Sequence, residues 1–142
     1  MANGLSMSIA ELEAFLAREF PQVCDDFAID SLDLDGLRVR LRVQDRHLRP
    51  GGTVSGPSMF ALADVGMYLA ILARLGPVAL AVTTNCSIDF MRKPANGADL
   101  LCQARLLKLG RQLAVGDALL FSEGQGEPVA RAGLTYAIPP RP

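Results

Sequence analysis

The chain has 142 residues, of which 50% are hydrophobic and 20% charged, and its formal net charge is −1. This length suits one domain, the composition excludes a disordered chain, and the near-neutral charge excludes the basic surface that nucleic acid requires. The three cysteines and single histidine include no Cys-x-x-Cys pair, so neither a disulfide framework nor a metal site is predicted. We therefore expect small molecules or protein surfaces as partners.

The sequence predicts no membrane or export segment. Its N-terminus lacks a basic segment followed by an apolar core, and the apolar run of residues 59–73 is too short to span a bilayer and has Asp64 at its middle. We therefore expect a soluble, cytoplasmic protein with no membrane partner.

A short amphipathic helix and a β-hairpin are predicted first. Ser8 and Glu11 match a capping box, and apolar residues follow at helical spacing. Two strand-like runs, residues 27–32 and 37–43, flank a turn that contains Gly36. The second run alternates in polarity, which predicts a hairpin with one solvated face.

A glycine-rich loop follows at residues 46–56 and leads into the centre of the chain. Loops at the start of a buried helix often hold ligands. His47, near the beginning of this loop, is expected to be a surface histidine.

A long apolar helix is predicted from about Pro57 to Leu75. Gly56 is expected to cap its N-terminus, Pro57 suits the first turn, and Gly76 ends it. Asp64 is its only carboxylate, and a buried carboxylate costs several kcal/mol unless it is paired, hydrogen-bonded or facing water. Asp64 is therefore a candidate functional residue.

The remainder of the chain reads as antiparallel strands. Turn residues separate four runs with strand-like composition, and a short tail ends the chain. The predicted strands are residues 79–91, 100–109, 112–122 and 128–138, and the tail is residues 139–142. This order predicts an α+β domain in which an antiparallel sheet wraps around the central helix.

The segment Ser55-Gly-Pro-Ser-Met-Phe-Ala-Leu-Ala-Asp64, together with the order of elements, resembles the hotdog-fold acyl-CoA thioesterases of the PaaI-like and 4-hydroxybenzoyl-CoA thioesterase group. That family carries His-Gly-Gly before the central helix and an Asp or Glu on the helix. Here Ser55-Gly56-Pro57 stands in the first place and Asp64 in the second. The resemblance covers about residues 25–138 and implies a hotdog thioesterase domain at 25–142, with residues 1–24 as an N-terminal helix and lead-in.

The resemblance implies hydrolysis of an acyl-CoA to free acid and coenzyme A without a cofactor. Asp64 would act as nucleophile or general base, and the Gly56 N–H, at the positive end of the helix, would bind the oxyanion. Pro57 has no N–H, so Gly56 carries more of that role. The further candidate substrate contacts are Ser55, Pro57, Tyr68, Thr83, Arg92 and Lys93.

Alternatives remain open for several of these residues. Tyr68 lies one turn after Asp64 and fits either a hydrogen bond to that carboxylate or the substrate, or core packing. Arg92 and Lys93 fit either coenzyme A phosphates or a solvated turn. Because Ser-Gly-Pro replaces His-Gly-Gly, a non-catalytic acyl-CoA-binding or regulatory hotdog protein is the alternative function.

The resemblance also implies how the chain assembles. Gly56 and Asp64 are roughly 12 Å apart along the helix axis, at about 1.5 Å per residue, which is too far for both to contact one carbonyl. The family solves this with a dimer in which the acid of one subunit meets the glycine of the other. We therefore expect a homodimer, associating further as a dimer of dimers.

Overall fold

A computed structural model describes residues 4–140, and within them the chain forms a six-stranded antiparallel sheet wrapped around a long helix. Residues 141 and 142 of the predicted tail lie outside this range. The elements in chain order are α1 (Ile9–Glu19), β1 (Phe27–Asp33), β2 (Gly36–Leu41), α2 (Gly56–Leu75), β3 (Val82–Phe90), β4 (Leu100–Leu109), β5 (Leu113–Ser122) and β6 (Ala130–Ala137). The predicted α+β order is confirmed, and single 3-10 turns at Cys24–Asp26 and Asp45–His47 are added.

The strands lie in the order β1-β2-β4-β5-β6-β3, and every neighbouring pair is antiparallel. The strand β3 follows α2 in the chain but pairs with β6, at the far side of the sheet. Among the described residues, β1 and β3 are the two edges of the sheet, and each leaves one row of backbone groups without a strand partner.

The start of α2 corrects one prediction. The N-cap is Ser55, whose Oγ accepts a hydrogen bond from the N–H of Ser58 at 3.3 Å, and Gly56 is the first helical residue. Serine is the better cap because its side-chain oxygen satisfies a free helical N–H, which glycine cannot do. Gly76, with φ of 92°, ends the helix as predicted.

Close contact between α2 and the sheet depends on two glycines. A Cβ atom at Gly66 would lie 2.8 Å from the Sγ of Cys102 on β4. On β5, a Cβ atom at Gly116 would overlap the end of Met67 and lie 2.5 Å from the backbone oxygen of Arg105. The absence of these side chains sets how closely the helix approaches the sheet.

The helix α2 is long and apolar enough to cross a bilayer by length and composition, but 61% of its most apolar window is buried inside this fold. Such burial is typical of the core helix of a soluble domain. The buried part lies mainly in the second half, from Gly66 to Ala73.

The first half of α2 carries a set of residues that the sheet leaves uncovered, which we call the open stripe. Its members follow the i, i+3, i+4, i+7, i+8 spacing of one helix face. They are Pro57, Phe60, Ala61, Asp64 and Val65, the first three exposed and the last two half-buried. Asp64 therefore lies at the border between core and surface.

Candidate active site

Asp64 is held by two hydroxyl groups. The Oγ1 of Thr83 and the Oη of Tyr136 each donate a hydrogen bond to Asp64 Oδ1 at 2.6 Å. Thr83 on β3 and Tyr136 on β6 are direct partners across the antiparallel pair. These bonds explain how an apolar helix accommodates a carboxylate, since a buried charge requires hydrogen-bond donors.

The second carboxylate oxygen of Asp64 has a different environment. No residue in the described part of the chain donates a hydrogen bond to Oδ2, and the side chain is only half-buried on the open stripe. Asp64 thus has one oxygen fixed by the fold and one available to a substrate or water.

Gly56 presents its N–H at the start of α2. The preceding residue is fixed, because the Ser55 N–H donates to the backbone oxygen of His47 at 2.8 Å. No group among residues 4–140 accepts a hydrogen bond from the Gly56 N–H. A Cβ atom at this position would lie 3.4 Å from Cζ of Phe90, so a larger side chain would meet that ring. A free donor at a helix N-terminus is suited to bind a developing negative charge.

A cleft of about 560 Å³ opens beside Gly56. Met59 and Phe90 form part of its apolar wall, and three cations line it: Arg49, Arg92 and Lys93. Arg92 already forms an ion pair with Glu127 at 2.6 Å and donates to the backbone oxygen of Pro128 at 2.7 Å. In the described part of the chain, neither Arg49 nor Lys93 forms an ion pair, so these two charges are available.

Comparison with known proteins places this geometry in a family. The family model of the thioesterase superfamily matches residues 51–129, which include the end of the loop before α2, α2 itself and strands β3 to β5. The chain belongs to the thioesterase superfamily. The family resemblance and the hotdog fold predicted from the sequence are therefore confirmed, and both support thioester hydrolysis as its reaction.

Three relatives of this thioesterase-superfamily chain illustrate the match. A provisionally named thioesterase from Silicibacter sp. TM1040 is 64% identical, covers 96% of this chain and 94% of its own, and superposes with a TM-score of 0.90. A provisionally named esterase of Pseudomonas aeruginosa is 35% identical over 72% of this chain and 75% of its own length. A hypothetical thioesterase of Streptococcus pneumoniae, solved with coenzyme A, is 18% identical, covers 94% and 98% of the two chains with a TM-score of 0.73, and shares the fold.

The structure places the remaining predicted substrate contacts of this superfamily member as follows. Ser55 caps α2, and Pro57 is exposed on the open stripe. The Oη of Tyr68 donates to the backbone oxygen of Ala79 at 3.0 Å, and its ring lies 6.3 Å from that of Tyr136. Of the two interpretations of Tyr68, core packing with a satisfied hydroxyl is therefore the one its contacts favour.

The prediction of a surface His47 is wrong. Its side chain is buried, its Nδ1 accepts a hydrogen bond from the Gln44 N–H at 2.9 Å, and its Nε2 lies 3.4 Å from Asp26 Oδ2. The 3-10 turn at Asp45–His47 directs the ring inward, towards a carboxylate 21 residues earlier in the chain. His47 thereby supports the loop that ends at Ser55.

The sequence did not predict Tyr136 as a hydrogen-bond partner of Asp64. Buried and more exposed residues alternate along β6, and the side chain of Tyr136 lies on the buried face with those of Ala130, Ala132 and Leu134. The Tyr136 hydroxyl therefore faces the core beside α2. The signal available in the sequence was the hydroxyl of Tyr136 at the end of the otherwise apolar face of β6, because a buried hydroxyl requires a hydrogen-bond partner. Within residues 4–140, no cluster of three His, Cys, Asp or Glu side chains is positioned to hold a metal ion.

Burial raises the pKa of several groups in the core of the domain. It raises the pKa of Cys102 to about 12, and burial with the nearby charge of Glu19 raises the pKa of Tyr68 to about 12. The pKa of Tyr136 is raised above the usual range of a tyrosine. Burial is the largest cause, and the hydrogen bond to Asp64 and the charge of that carboxylate add to it. These groups remain protonated at neutral pH.

We expect stability to fall at alkaline pH. A group whose pKa is raised by folding contributes its full stability below its unfolded pKa, about 8.5 for cysteine and about 10 for tyrosine, and loses it as pH rises through the folded value. The thermal midpoint, followed by circular dichroism with reductant present, should therefore be level to about pH 8 and fall from about pH 9 upward. Cys102→Ala should make that fall shallower, and a midpoint that rises across this range would contradict the assignment.

Proposed function

We propose that the protein is an acyl-CoA thioesterase, with Asp64 as nucleophile or general base and the Gly56 N–H as oxyanion donor. The observation that carries this proposal is the asymmetry of Asp64, whose Oδ1 is held by two hydroxyls while Oδ2 has no donor among the described residues. A carboxylate held in this way is positioned, yet keeps one oxygen free to act.

The proposed reaction uses these two groups together. The thioester oxygen accepts a hydrogen bond from the Gly56 N–H, and its negative charge is stabilised there as the carbonyl carbon becomes tetrahedral. Asp64 Oδ2 either forms a bond to that carbon or removes a proton from the water that does so. If Asp64 has bonded to the carbon, the C–S bond breaks to leave a mixed anhydride, which one water then hydrolyses to the free acid and the Asp64 carboxylate. If water has bonded to the carbon, the C–S bond breaks to give the free acid directly, and Asp64 carries the proton taken from that water. In both cases coenzyme A leaves as a thiolate that takes up a proton, and one water is consumed.

The proposed site is shared between two subunits. Gly56 and Asp64 lie eight residues apart on one helix, about 12 Å at 1.5 Å per residue, so one carbonyl cannot contact both on the same chain. In a two-fold dimer the same stretch of both helices meets, which brings each glycine towards the opposite acid.

Two exposed features support this homodimer. The open stripe is apolar apart from Asp64, and the free edge at β3 is accompanied by exposed Leu80, Val82, Phe90 and Met91. An apolar patch beside an unpaired strand edge is typical of a surface that a partner covers. A second exposed apolar set on β4 and β5, Leu107, Leu113 and Leu119, supports further association as a dimer of dimers.

A panel of aryl, medium-chain and long-chain acyl-CoA substrates tests the function directly. Release of free coenzyme A, followed with a thiol reagent, is the expected result for at least one member of the panel. Saturable binding of acyl-CoA without release would instead support the non-catalytic alternative, which the Ser55-Gly56-Pro57 segment suggested. Turnover by Asp64→Asn at more than about a tenth of the wild-type rate would also contradict the proposed mechanism.

We propose that the cations of the cleft bind the phosphates of coenzyme A, and Lys93 provides the sharpest test. Lys93→Ala should raise KM about fivefold, equivalent to about 1 kcal/mol, with little change in kcat. Arg92→Ala should raise KM less, because Glu127 already neutralises Arg92. Lys108→Ala, outside the cleft, is the matched control.

Salt provides an independent measurement of the same contact. Ion pairs at an open cleft are screened, so KM of the wild-type protein should rise as ionic strength increases, and this dependence should weaken in Lys93→Ala. Steady-state kinetics at low and high salt measure both. If KM responds neither to salt nor to either cleft variant, phosphate recognition lies elsewhere.

A further inference from the structure

We infer that Tyr136 is a positioning residue for Asp64, and that with Thr83 it selects Oδ2 as the oxygen that acts on the thioester or water. This inference rests on the proposed function of Asp64. It adds to that function an assigned role for each carboxylate oxygen and for a residue of the last strand.

Tyr136 contacts Asp64 at two atoms. The Oη of Tyr136 lies 2.6 Å from Asp64 Oδ1 and 3.0 Å from the backbone oxygen of the same residue. Tyr136 therefore contacts both the side chain and the main chain of Asp64, which restrains rotation of the carboxylate. Thr83 donates to the same Oδ1 at 2.6 Å, so two donors converge on one oxygen.

The Tyr136 hydroxyl is held rigidly by the fold. Tyr136 is only 2% exposed, and its backbone lies between Thr83 of β3 and Ala114 of β5. Its ring packs beside Tyr68 at 6.3 Å between centroids. A hydroxyl carried by a buried strand residue is located more precisely than one on a loop. Burial and the adjacent carboxylate also keep this hydroxyl protonated, as its raised pKa indicates.

The two hydrogen bonds make the two oxygens of Asp64 chemically different. Hydrogen bonds draw electron density from the oxygen that accepts them, so Oδ1 becomes the weaker nucleophile and the weaker base. Oδ2 either shares an electron pair with the carbonyl carbon or takes a proton from water as the new C–O bond forms. In both cases Thr83 and Tyr136 keep their protons, and the displaced carbonyl electron pair resides on the oxygen facing Gly56.

The test is a double-mutant cycle between Tyr136→Phe and Asp64→Asn. Alone, Tyr136→Phe should lower kcat about tenfold, or about 1.4 kcal/mol, and leave KM within about twofold. In the Asp64→Asn background it should produce no further loss, because a positioning residue acts only through the group it positions. Single-turnover measurements with enzyme in excess keep the residual rates measurable.

Further variants exclude a general structural effect. Thr84→Val removes a hydroxyl that ties β3 to the Thr135 carbonyl of β6 without reaching Asp64, so it should leave kcat unchanged. Thr83→Val should lower kcat as Tyr136→Phe does, and Thr83→Ser, which keeps a hydroxyl, should restore most of it. Thr83 also provides the same measurement if Tyr136→Phe does not fold.

Two outcomes would overturn the inference, and both differ from failure of the proposed function. The first is a kcat of Tyr136→Phe within about twofold of wild type, since a hydroxyl that holds the acting carboxylate in place must affect the rate of the chemical step. The second is an equal fold-loss in the wild-type and Asp64→Asn backgrounds. An Asp64→Asn protein that keeps more than about a tenth of the wild-type turnover would instead remove the proposed catalytic role of Asp64, on which this inference rests.

Discussion

Asp64→Asn should reduce turnover of acyl-CoA at least 100-fold, equivalent to about 2.7 kcal/mol of barrier or more. The amide keeps the shape of the carboxylate and still accepts hydrogen bonds through its oxygen, so Thr83 and Tyr136 can hold it. What it loses is the negative charge and basicity of the second oxygen. Steady-state kinetics with the best substrate of the acyl-CoA panel provide the measurement.

Binding and stability separate this result from a structural one. The variant should bind acyl-CoA with near-normal affinity and unfold near the wild-type temperature, because its core contacts are unchanged. Asp64→Ala leaves the Thr83 hydroxyl without its acceptor and the Tyr136 hydroxyl with only the backbone oxygen of residue 64, so it should by contrast be destabilised. If Asp64→Asn keeps more than about a tenth of the wild-type turnover, less than about 1.4 kcal/mol of barrier is lost and the catalytic assignment is wrong.

Two inactive variants should regain activity when they form a mixed dimer. Gly56→Pro removes the proposed oxyanion donor and should cost about 10²–10³ in kcat. The backbone of Ser55 already has the φ of −75° and ψ of 156° that a residue before proline adopts. A Cβ atom at position 56 would lie 3.4 Å from Cζ of Phe90, at the near limit of ordinary van der Waals contact, so the variant places its ring against Phe90 without backbone strain at Ser55. A heterodimer of Gly56→Pro and Asp64→Asn subunits, isolated with two tags, retains one intact site and should recover about half of the wild-type turnover.

The reciprocal heterodimer is the decisive control. When both substitutions are on one chain and its partner is wild type, each shared site contains one defect, and the dimer should be inactive. If each site belonged to one subunit, this second heterodimer would be half active and the first inactive. Comparison of the two turnover rates thus determines whether Gly56 and Asp64 act across the subunit boundary.

Local signals in the sequence were sufficient for most of the fold. The limits of α2 follow from residues adjacent in the chain, and the hairpin between β4 and β5 follows from the turn at Gly110. Asp64 could be chosen as a candidate because a lone carboxylate in an apolar helix is visible without knowledge of its neighbours. Gly56 could be chosen as a candidate because a glycine before a buried helix is visible in the same way.

The missed features depend on contacts between distant parts of the chain. Tyr136 reaches Asp64 across 72 positions, and this contact exists only because β6, the last strand, packs against α2. His47 is buried because Asp26, 21 positions earlier, lies beside it. Periodicity within one segment contains no information about which strands become neighbours, so neither contact could be derived from it.

At the contact between Gly66 and Cys102, the space between helix and sheet holds a side chain from only one of the two positions. The sulfur of Cys102 occupies the space that a methyl group on the helix would otherwise fill. Any enlargement at position 66 must therefore be matched by a reduction at position 102. The core can therefore be freed of this oxidisable thiol by placing alanine at both positions. The methyl group added on the helix then fills the space that the sulfur on the sheet leaves.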